Sequence, residues 1–308
     1  MEFTFTEQQQ VASDALGQML SLFRAPPVHA ANFLPGQALD AELEASGFFD
    51  ICTDPDLGDI AAVDLIIQVA RLPVVVEVMA STLVRPHLAP DASRSLALVS
   101  GSGPVRFGEQ ARTVLIDDNG EALLLAVEPG DFASLDTIFA YPLAQLSDAA
   151  RARARPLSAN DSTALRRYWR IGLAAEITGA MEAGLASAVD HVTQRKQFGK
   201  PIGSFQAVQH RLAEAAVSIE AARWLTLKAA GTGAAADAAL ALGYAQTAAR
   251  RVTYDLHQFL GAMGLTLEHP LHLWTYRLKA LFQELGGGAA TFRAAAEEHW
   301  GEPVSSEV

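Results

Sequence analysis

The sequence predicts a mostly α-helical protein with one small β unit set between two helical regions. Three observations predict it. Apolar residues recur at helical spacing before about residue 90 and again after about residue 160. Between them lie short apolar runs bounded by turn residues, and one pair of runs flanks Asp118-Asn119-Gly120, where Asn-Gly is a strong hairpin signal. The chain has 308 residues, 50% of them apolar and 19% charged, enough to fold as one large domain or two to three modest ones. The expected organisation is an N-terminal helical domain over 1–93, a reduced β domain over 94–157 and a C-terminal four-helix bundle over 158–308.

Each element has its own warrant. Thr6 opens a first helix whose apolar positions are Val11, Leu16, Leu20 and Leu22, and Pro26-Pro27 stops it. A second helix spans about Leu39 to Ser46 and ends at Gly47. Ala61 to Leu72 forms a third, broken by Pro73, and the segment after it reads as further helix up to Pro86 and Pro90. The apolar window Ile60 to Ala80 contains Asp64, Arg71, Pro73 and Glu77, which suit a buried helix better than a bilayer span. Leu96 to Val99, Arg112 to Ile116 and Glu121 to Val127 are the strands. They are too few to bury a core alone and must pack on helices.

In the bundle, Leu173, Ile177, Met181, Leu185 and Val192 mark one helix face, and Val208, Leu212, Ala215, Ile219 and Ala222 mark a second. A third helix runs from about 234 to Leu260 and a fourth from about Gly288 to Trp300. Short connections make an antiparallel bundle the natural arrangement.

Charge and motif content narrow the function. With 23 basic and 35 acidic side chains the net charge is −12, which repels phosphate backbones and argues against nucleic-acid binding. The single cysteine, Cys52, excludes an internal disulfide framework and any Cys-rich metal site. It reads as a small core or near-surface residue, and no metal is assigned. Met1 to Glu7 has no basic and then apolar stretch, so a cytoplasmic location is expected. Gly101-Ser102-Gly103 runs into Pro104 and completes no dinucleotide fingerprint. Walker, His-Glu-x-x-His, Glu-x-x-His and nucleophile-elbow motifs are absent too.

One long segment remains, from Gln194 to His210, which contains Arg195, Gln197, Phe198, Gly199, Lys200 and Pro201. It is the end of one helix, a Gly-Pro turn and the start of the next. Arg195 and Gln197 offer forked and amide donors beside an aromatic ring, a set suited to an anionic aromatic ligand such as a nucleotide. An ordinary inter-helix turn with solvated charges is the alternative.

The run Arg195-Lys196-Gln197-Phe198-Gly199-Lys200-Pro201-Ile202, continued by Phe205-Gln206 and Gln209-His210, resembles the signature of the acyl-CoA dehydrogenase family. Met1 to Gln10 is similar to that family's opening, and Leu43 to Pro73 to its second helical stretch in shortened form. Gln258-Phe259-Leu260-Gly261-Ala262-Met263-Gly264 is similar to its Gln-x-x-Gly-Gly-x-Gly element. The order of helices, β domain and bundle agrees as well. The resemblance implies FAD as cofactor. Arg195 would pair with the pyrophosphate, Gln197 would hydrogen-bond nearby and Phe198 would pack on the adenosine. Across a subunit interface, Gln258 would donate an amide hydrogen, and the backbone at Gly261 and Ala262 would approach the phosphates. Ala262 stands where the family has its second glycine.

The departures are as informative. The family's Thr-Glu-Pro-x-x-Gly-Ser-Asp and later Trp-Ile/Ser-Thr/Ser segments, which contact the flavin ring, do not occur; the corresponding region reads Leu96 to Gly108. The carboxylate base that removes the α-proton of the thioester is missing from both usual places. One place is Trp169, just before Arg170; the other is Leu285. Glu284, one residue away, is the weak candidate, as a base or as a solvated helix-end carboxylate. His257, His269 and His272 read as structural hydrogen-bonders. Glu176 reads as facing a neighbouring helix or the subunit interface, paired with an arginine.

The resemblance is therefore to the short partner chains of actinobacterial heterotetrameric acyl-CoA dehydrogenases that act on steroid-derived CoA thioesters. It implies a catalytic second subunit in an α2β2 assembly, a bulky acyl-CoA substrate, FAD shared between the chains and an electron-transfer acceptor. Two alternatives stay open: a self-sufficient homo-oligomer with Glu284 as base, and a cofactor-free scaffold.

Overall fold

The computed structural model describes residues 4–26 and 30–301. Helix α1 (Glu7–Leu20) starts at Thr6, whose hydroxyl accepts from Gln9 N while the Gln9 side chain accepts from Thr6 N, a reciprocal cap. Leu16 and Leu20 are buried, but Val11 and Leu22 are 64% and 83% exposed. Val11 stands five residues before Leu16, about 140° round the helix. Leu22 falls in a single 3-10 turn, Ser21–Phe23, that ends the helix before Pro26. Pro27, half of the expected stop, lies outside the described residues, as do Met1 to Phe3 at the start of the matching opening.

Helix α2 (Gln37–Ala45) is followed by Gly47 at φ 73°, a left-handed exit that glycine takes without strain. Helix α3 (Gly58–Ala70) is buried almost all round. Its Asp64, 3% exposed, accepts from Ser13 Oγ and Gln68 Nε2 at 2.7 Å and pairs with Arg223 at 3.0 Å. The segment after Pro73 departs from the helical expectation. Val74–Val75 (β2) pairs in parallel with Leu34–Pro35 (β1), because Pro73 breaks the helix and three successive valines favour extended backbone. One wide π turn, Ala80–Val84, then leads into the short helix α4 (Arg85–Leu88).

The central strands form two small sheets. One has the order β3 (Leu96–Ser100), β5 (Thr113–Asp118), β6 (Glu121–Ala126), β9 (Arg155–Pro156); the other joins β4 (Val105–Arg106), β8 (Leu143–Leu146) and β7 (Phe132–Leu135). Asp118 faces Glu121, which leaves Asn119-Gly120 as a two-residue turn with φ of 49° and 102°, as the hairpin signal requires. Strands β4, β7 and β8 escape the sequence reading because they are two to four residues long. Asp131, 5% exposed, is clamped by Arg153 Nη1 and Nη2 at 3.0 and 2.7 Å. That hydrogen bonding holds its carboxyl below the usual carboxylate range.

After the short helix α5 (Asp148–Arg151), α6 (Ala159–Gln194) runs for 36 residues from a Ser158–Asp161 capping box. It packs against α3, α7 (Gln206–Thr232) and α8 (Ala235–Leu260). Gly179 sits at the closest approach: a Cβ there would lie 2.2 Å from the carbonyl oxygen of Ile67. Helix α9 (His272–Leu281), absent from the sequence reading, precedes α10 (Gly287–Trp300). No described helix is long and apolar enough to cross a membrane.

Candidate active site and nucleotide-binding residues

Where the β sheets meet α6 and the α9–α10 connection there is a cavity of 290 Å³, walled by Glu77, Met79, Arg106, Trp169, Glu176 and Glu284 among others. Its chemistry centres on Arg106, delivered by β4. The Arg106 Nη1 donates to both carboxylate oxygens of Glu176 at 2.9 Å, while Nε donates to Glu284 Oε1 at 2.5 Å and Nη2 to Oε2 at 3.3 Å. Tyr141 adds a hydrogen bond from its hydroxyl to Glu176 at 2.6 Å, and the guanidinium lies 4.8 Å from the centre of its ring. Burial works against the Arg106 charge, but Glu176 and Glu284 outweigh it and raise its pKa. Burial next to Glu176 likewise keeps Tyr141 protonated.

Two expectations are corrected here. Glu176 does pair with an arginine, but with Arg106 of the β domain across the cavity, not at a neighbouring helix or an outer interface. Glu284 is not a freely solvated carboxylate; its side chain is only 21% exposed and is bound to Arg106. Nothing in the sequence links Arg106 to Tyr141. The available signal was a basic residue between Val105 and Phe107 in an otherwise apolar strand. Trp169, at one of the two base positions, is buried, and its indole Nε1 has no hydrogen-bond partner.

Glu77 is the third carboxyl of the wall. It accepts from Ser81 N at 3.0 Å, from Leu96 N at 3.1 Å and from the Ser81 hydroxyl. Burial nevertheless pushes its pKa up. A second, 710 Å³ cavity shares Glu77 and Phe107 with the first and opens toward Arg94 and Arg112. Arg94 is already engaged by Asp40 at 2.5 Å and by Glu44.

The residues expected at the nucleotide lie elsewhere, at the end of the bundle. Arg195 caps α6, and Lys196–Gln197 pairs with Lys200–Pro201 as a two-residue ladder with Phe198 and Gly199 at its tip, both at positive φ. Phe198 is 91% exposed and touches Phe205 edge to face. Gln258 is exposed on the last turn of α8, and Gly261, at φ 58°, and Ala262 follow it in an exposed 3-10 turn. His191, one turn before Arg195, meets His269 edge to face at 5.5 Å, which brings the region after Ala262 beside the end of α6.

The histidines take structural roles. His257 pairs with the Thr275 hydroxyl at 3.0 Å, His269 Nδ1 accepts from Leu271 N, and both ring nitrogens of His272 lie against carbonyl oxygens.

This donor set fits one half of a flavin nucleotide. Among the described residues the Arg195 guanidinium and the Gln197 and Gln258 amides make no side-chain hydrogen bond. Nothing lies within 4 Å of where a Cβ on Gly261 would stand, so phosphate oxygens have access to that backbone. The ring half fits less well. A cavity of 290 Å³ stands at the low end of the roughly 300–1,000 Å³ of small-molecule sites, and Arg106 spans it from one carboxylate to another.

An N-terminal helical region, a small β domain and a helical bundle define the acyl-CoA dehydrogenase fold. Residues 165–293 match the model of the acyl-CoA dehydrogenase C-terminal domain. The acyl-CoA dehydrogenase IpdE2 of Mycobacterium tuberculosis is 27% identical over 96% of this chain and 99% of its own length. Among solved structures, the ChsE4-ChsE5 complex from Mycobacterium tuberculosis aligns with a TM-score of 0.80 at 21% identity, over 99% of this chain and 100% of that one. The Tcur3481-Tcur3483 steroid ACAD aligns at 0.76 and 21% identity, over 96% and 98%. Residues 165–293 thus match an acyl-CoA dehydrogenase C-terminal domain, and the chain as a whole has the fold of that family. The family consists of FAD-dependent oxidoreductases acting on acyl-CoA.

Proposed function

We propose that this chain is the partner subunit of a hetero-oligomeric acyl-CoA dehydrogenase that performs α,β-dehydrogenation of a bulky, steroid-type CoA thioester. The observation that carries this reading is the asymmetry within one chain: Arg195, Gln197 and Gln258 are exposed and unpaired among the described residues, while Arg106 spans the cavity at the expected base. Bound FAD supplies the hydride acceptor. Arg195 and Gln197 hold the diphosphate by charge and hydrogen bond, Phe198 covers the adenosine, and Gln258 with the Gly261–Ala262 backbone meets the same diphosphate across a subunit interface. The second subunit provides the flavin-ring contacts and the base, and an electron-transfer protein takes the electrons on. Similarity to a steroid dehydrogenase and to a two-component complex supports the substrate class and the mixed assembly.

Co-expression with a full-length acyl-CoA dehydrogenase chain from the same genome tests the reading, by flavin absorbance per protein and native mass. The lone chain is expected to be colourless. The complex should be yellow and carry half the flavin of a four-site homotetramer, and Arg195→Ala should strip that flavin. A yellow, active lone chain that dies with Glu284→Gln would replace this reading with the self-sufficient homo-oligomer. Unchanged flavin in the Arg195→Ala complex would leave the scaffold reading.

A further inference from the structure

On the side of the N-terminal domain away from the bundle end, three elements converge on one point. The turn Phe48–Thr53 brings Cys52, the first turn of α3 brings Asp59, and α4 brings His87. The Cys52 sulfur, an Asp59 carboxylate oxygen and a His87 ring nitrogen all lie within 4.8 Å of one another. We propose that Cys52, Asp59 and His87 form a binding site for a zinc-class divalent cation.

The ligand set selects the metal. Thiolate, imidazole and carboxylate are the donors of tetrahedral zinc, and a thiolate disfavours calcium and magnesium. Charge balance agrees: a thiolate and a carboxylate together neutralise a divalent ion. Ligands around zinc stand about 2.0–2.3 Å from the ion, so side chains within 4.8 Å close onto it by rotamer adjustments and small shifts. In the absence of metal, His87 Nε2 is bonded to Asp59 Oδ1 at 2.7 Å, a contact the ion would replace.

The surroundings suit a held ligand. The His87 ring stacks on Tyr168 at 3.9 Å with 2° between the planes, which fixes its orientation from outside the site. Cys52 is 8% exposed, whereas the His87 side chain is 29% exposed, so a fourth, solvent-side position is left for water. The sequence hid this constellation because the three residues stand at no ligand spacing; the fold alone brings them together. A bound ion would tie α4 to α3 and to Tyr168 of α6. Met79 and Ala80, just ahead of α4, line the 290 Å³ cavity, so the tie would stiffen one of its walls.

The test uses the purified full-length chain, stripped with a chelator and titrated with Zn²⁺ against a chromophoric chelator, and separately with Co²⁺. Expected are one zinc per chain, a thiolate-to-cobalt charge-transfer band with tetrahedral d–d bands, and at least a roughly tenfold weaker affinity in Cys52→Ser, Asp59→Asn and His87→Ala. No stoichiometric zinc, a cobalt spectrum without the thiolate band, or equal affinity in Cys52→Ser would overturn the proposal. The cobalt spectrum is read on the unaltered protein, so a variant that fails to fold does not blunt it.

Discussion

Arg106 Nε stands 2.5 Å from Glu284 Oε1, so the carboxylate best placed to act as a base is tied to a cation that also binds Glu176. Both of its oxygens face the guanidinium, so neither is presented freely to the cavity. The same contact joins the β domain to the α9–α10 connection and to α6. Arg106 is therefore a structural tie and a lock on the cavity at once.

Removing that tie should be costly. Arg106→Leu leaves Glu176 and Glu284 facing each other in a largely buried space, and loss of one partner from such a network costs about 3–5 kcal/mol. Urea denaturation of the lone chain should show this as a lower midpoint with little change in slope. A loss under about 1 kcal/mol would mean that water reaches the cluster.

Glycines at two helix contacts should respond in opposite ways. Gly179→Ala places a methyl 2.2 Å from the Ile67 carbonyl oxygen, and prising α3 from α6 should cost about 1–3 kcal/mol. Gly231→Ala, near the end of α7, meets only Ile60 Cδ1 at 3.6 Å and should be neutral or stabilise by about 0.5–1 kcal/mol. Differential scanning calorimetry would give a lower Tm for the first and an equal or higher Tm for the second.

The Asp131–Arg153 clamp predicts a pH dependence. Because its carboxyl titrates lower in the folded chain than in the unfolded one, the unfolded state binds the extra proton first on acidification. The clamp's contribution is thus complete above about pH 4, the ordinary Asp value, and is lost as pH falls through the depressed folded value. Asp131→Asn should flatten the stability profile in that window and leave its shape near neutrality unchanged.

His191 is a local reporter for Arg195 at the proposed nucleotide end of the bundle. Burial and then the Arg195 charge hold its pKa below the usual histidine value. Arg195→Ala should move it upward but not fully to normal, since the burial remains. An NMR titration of the ring protons would measure this without any flavin; an unmoved His191 would place Arg195 too far away to act on it.

Much of the chain was legible before folding. The Thr6 start of α1, the Gly47 exit and the Asn119-Gly120 turn were read correctly because each depends on a few adjacent residues. The valines after Pro73 read as helix from sequence but form a strand, because their choice depends on a strand partner at Leu34–Pro35. Helix α9 is hidden in the sequence because its buried face mixes polar His272, Thr275 and Arg277 with Leu273, Trp274 and Leu278, so no clean apolar stripe marks it.

By itself the sequence carried the likeness to the acyl-CoA dehydrogenases and the order of helical and β regions, and it singled out Arg195 to Phe198 and Gln258 to Ala262 as the proposed nucleotide residues, because those signals are contiguous along the chain. Only the tertiary structure decided the state of the cavity. Arg106, Tyr141, Glu176 and Glu284 come from four separate segments, and whether a carboxylate is free or pinned depends on what lies within a few ångströms in space. Cys52, Asp59 and His87 meet for the same reason: ligand geometry is a property of packing, which sequence spacing records only when the ligands share an element.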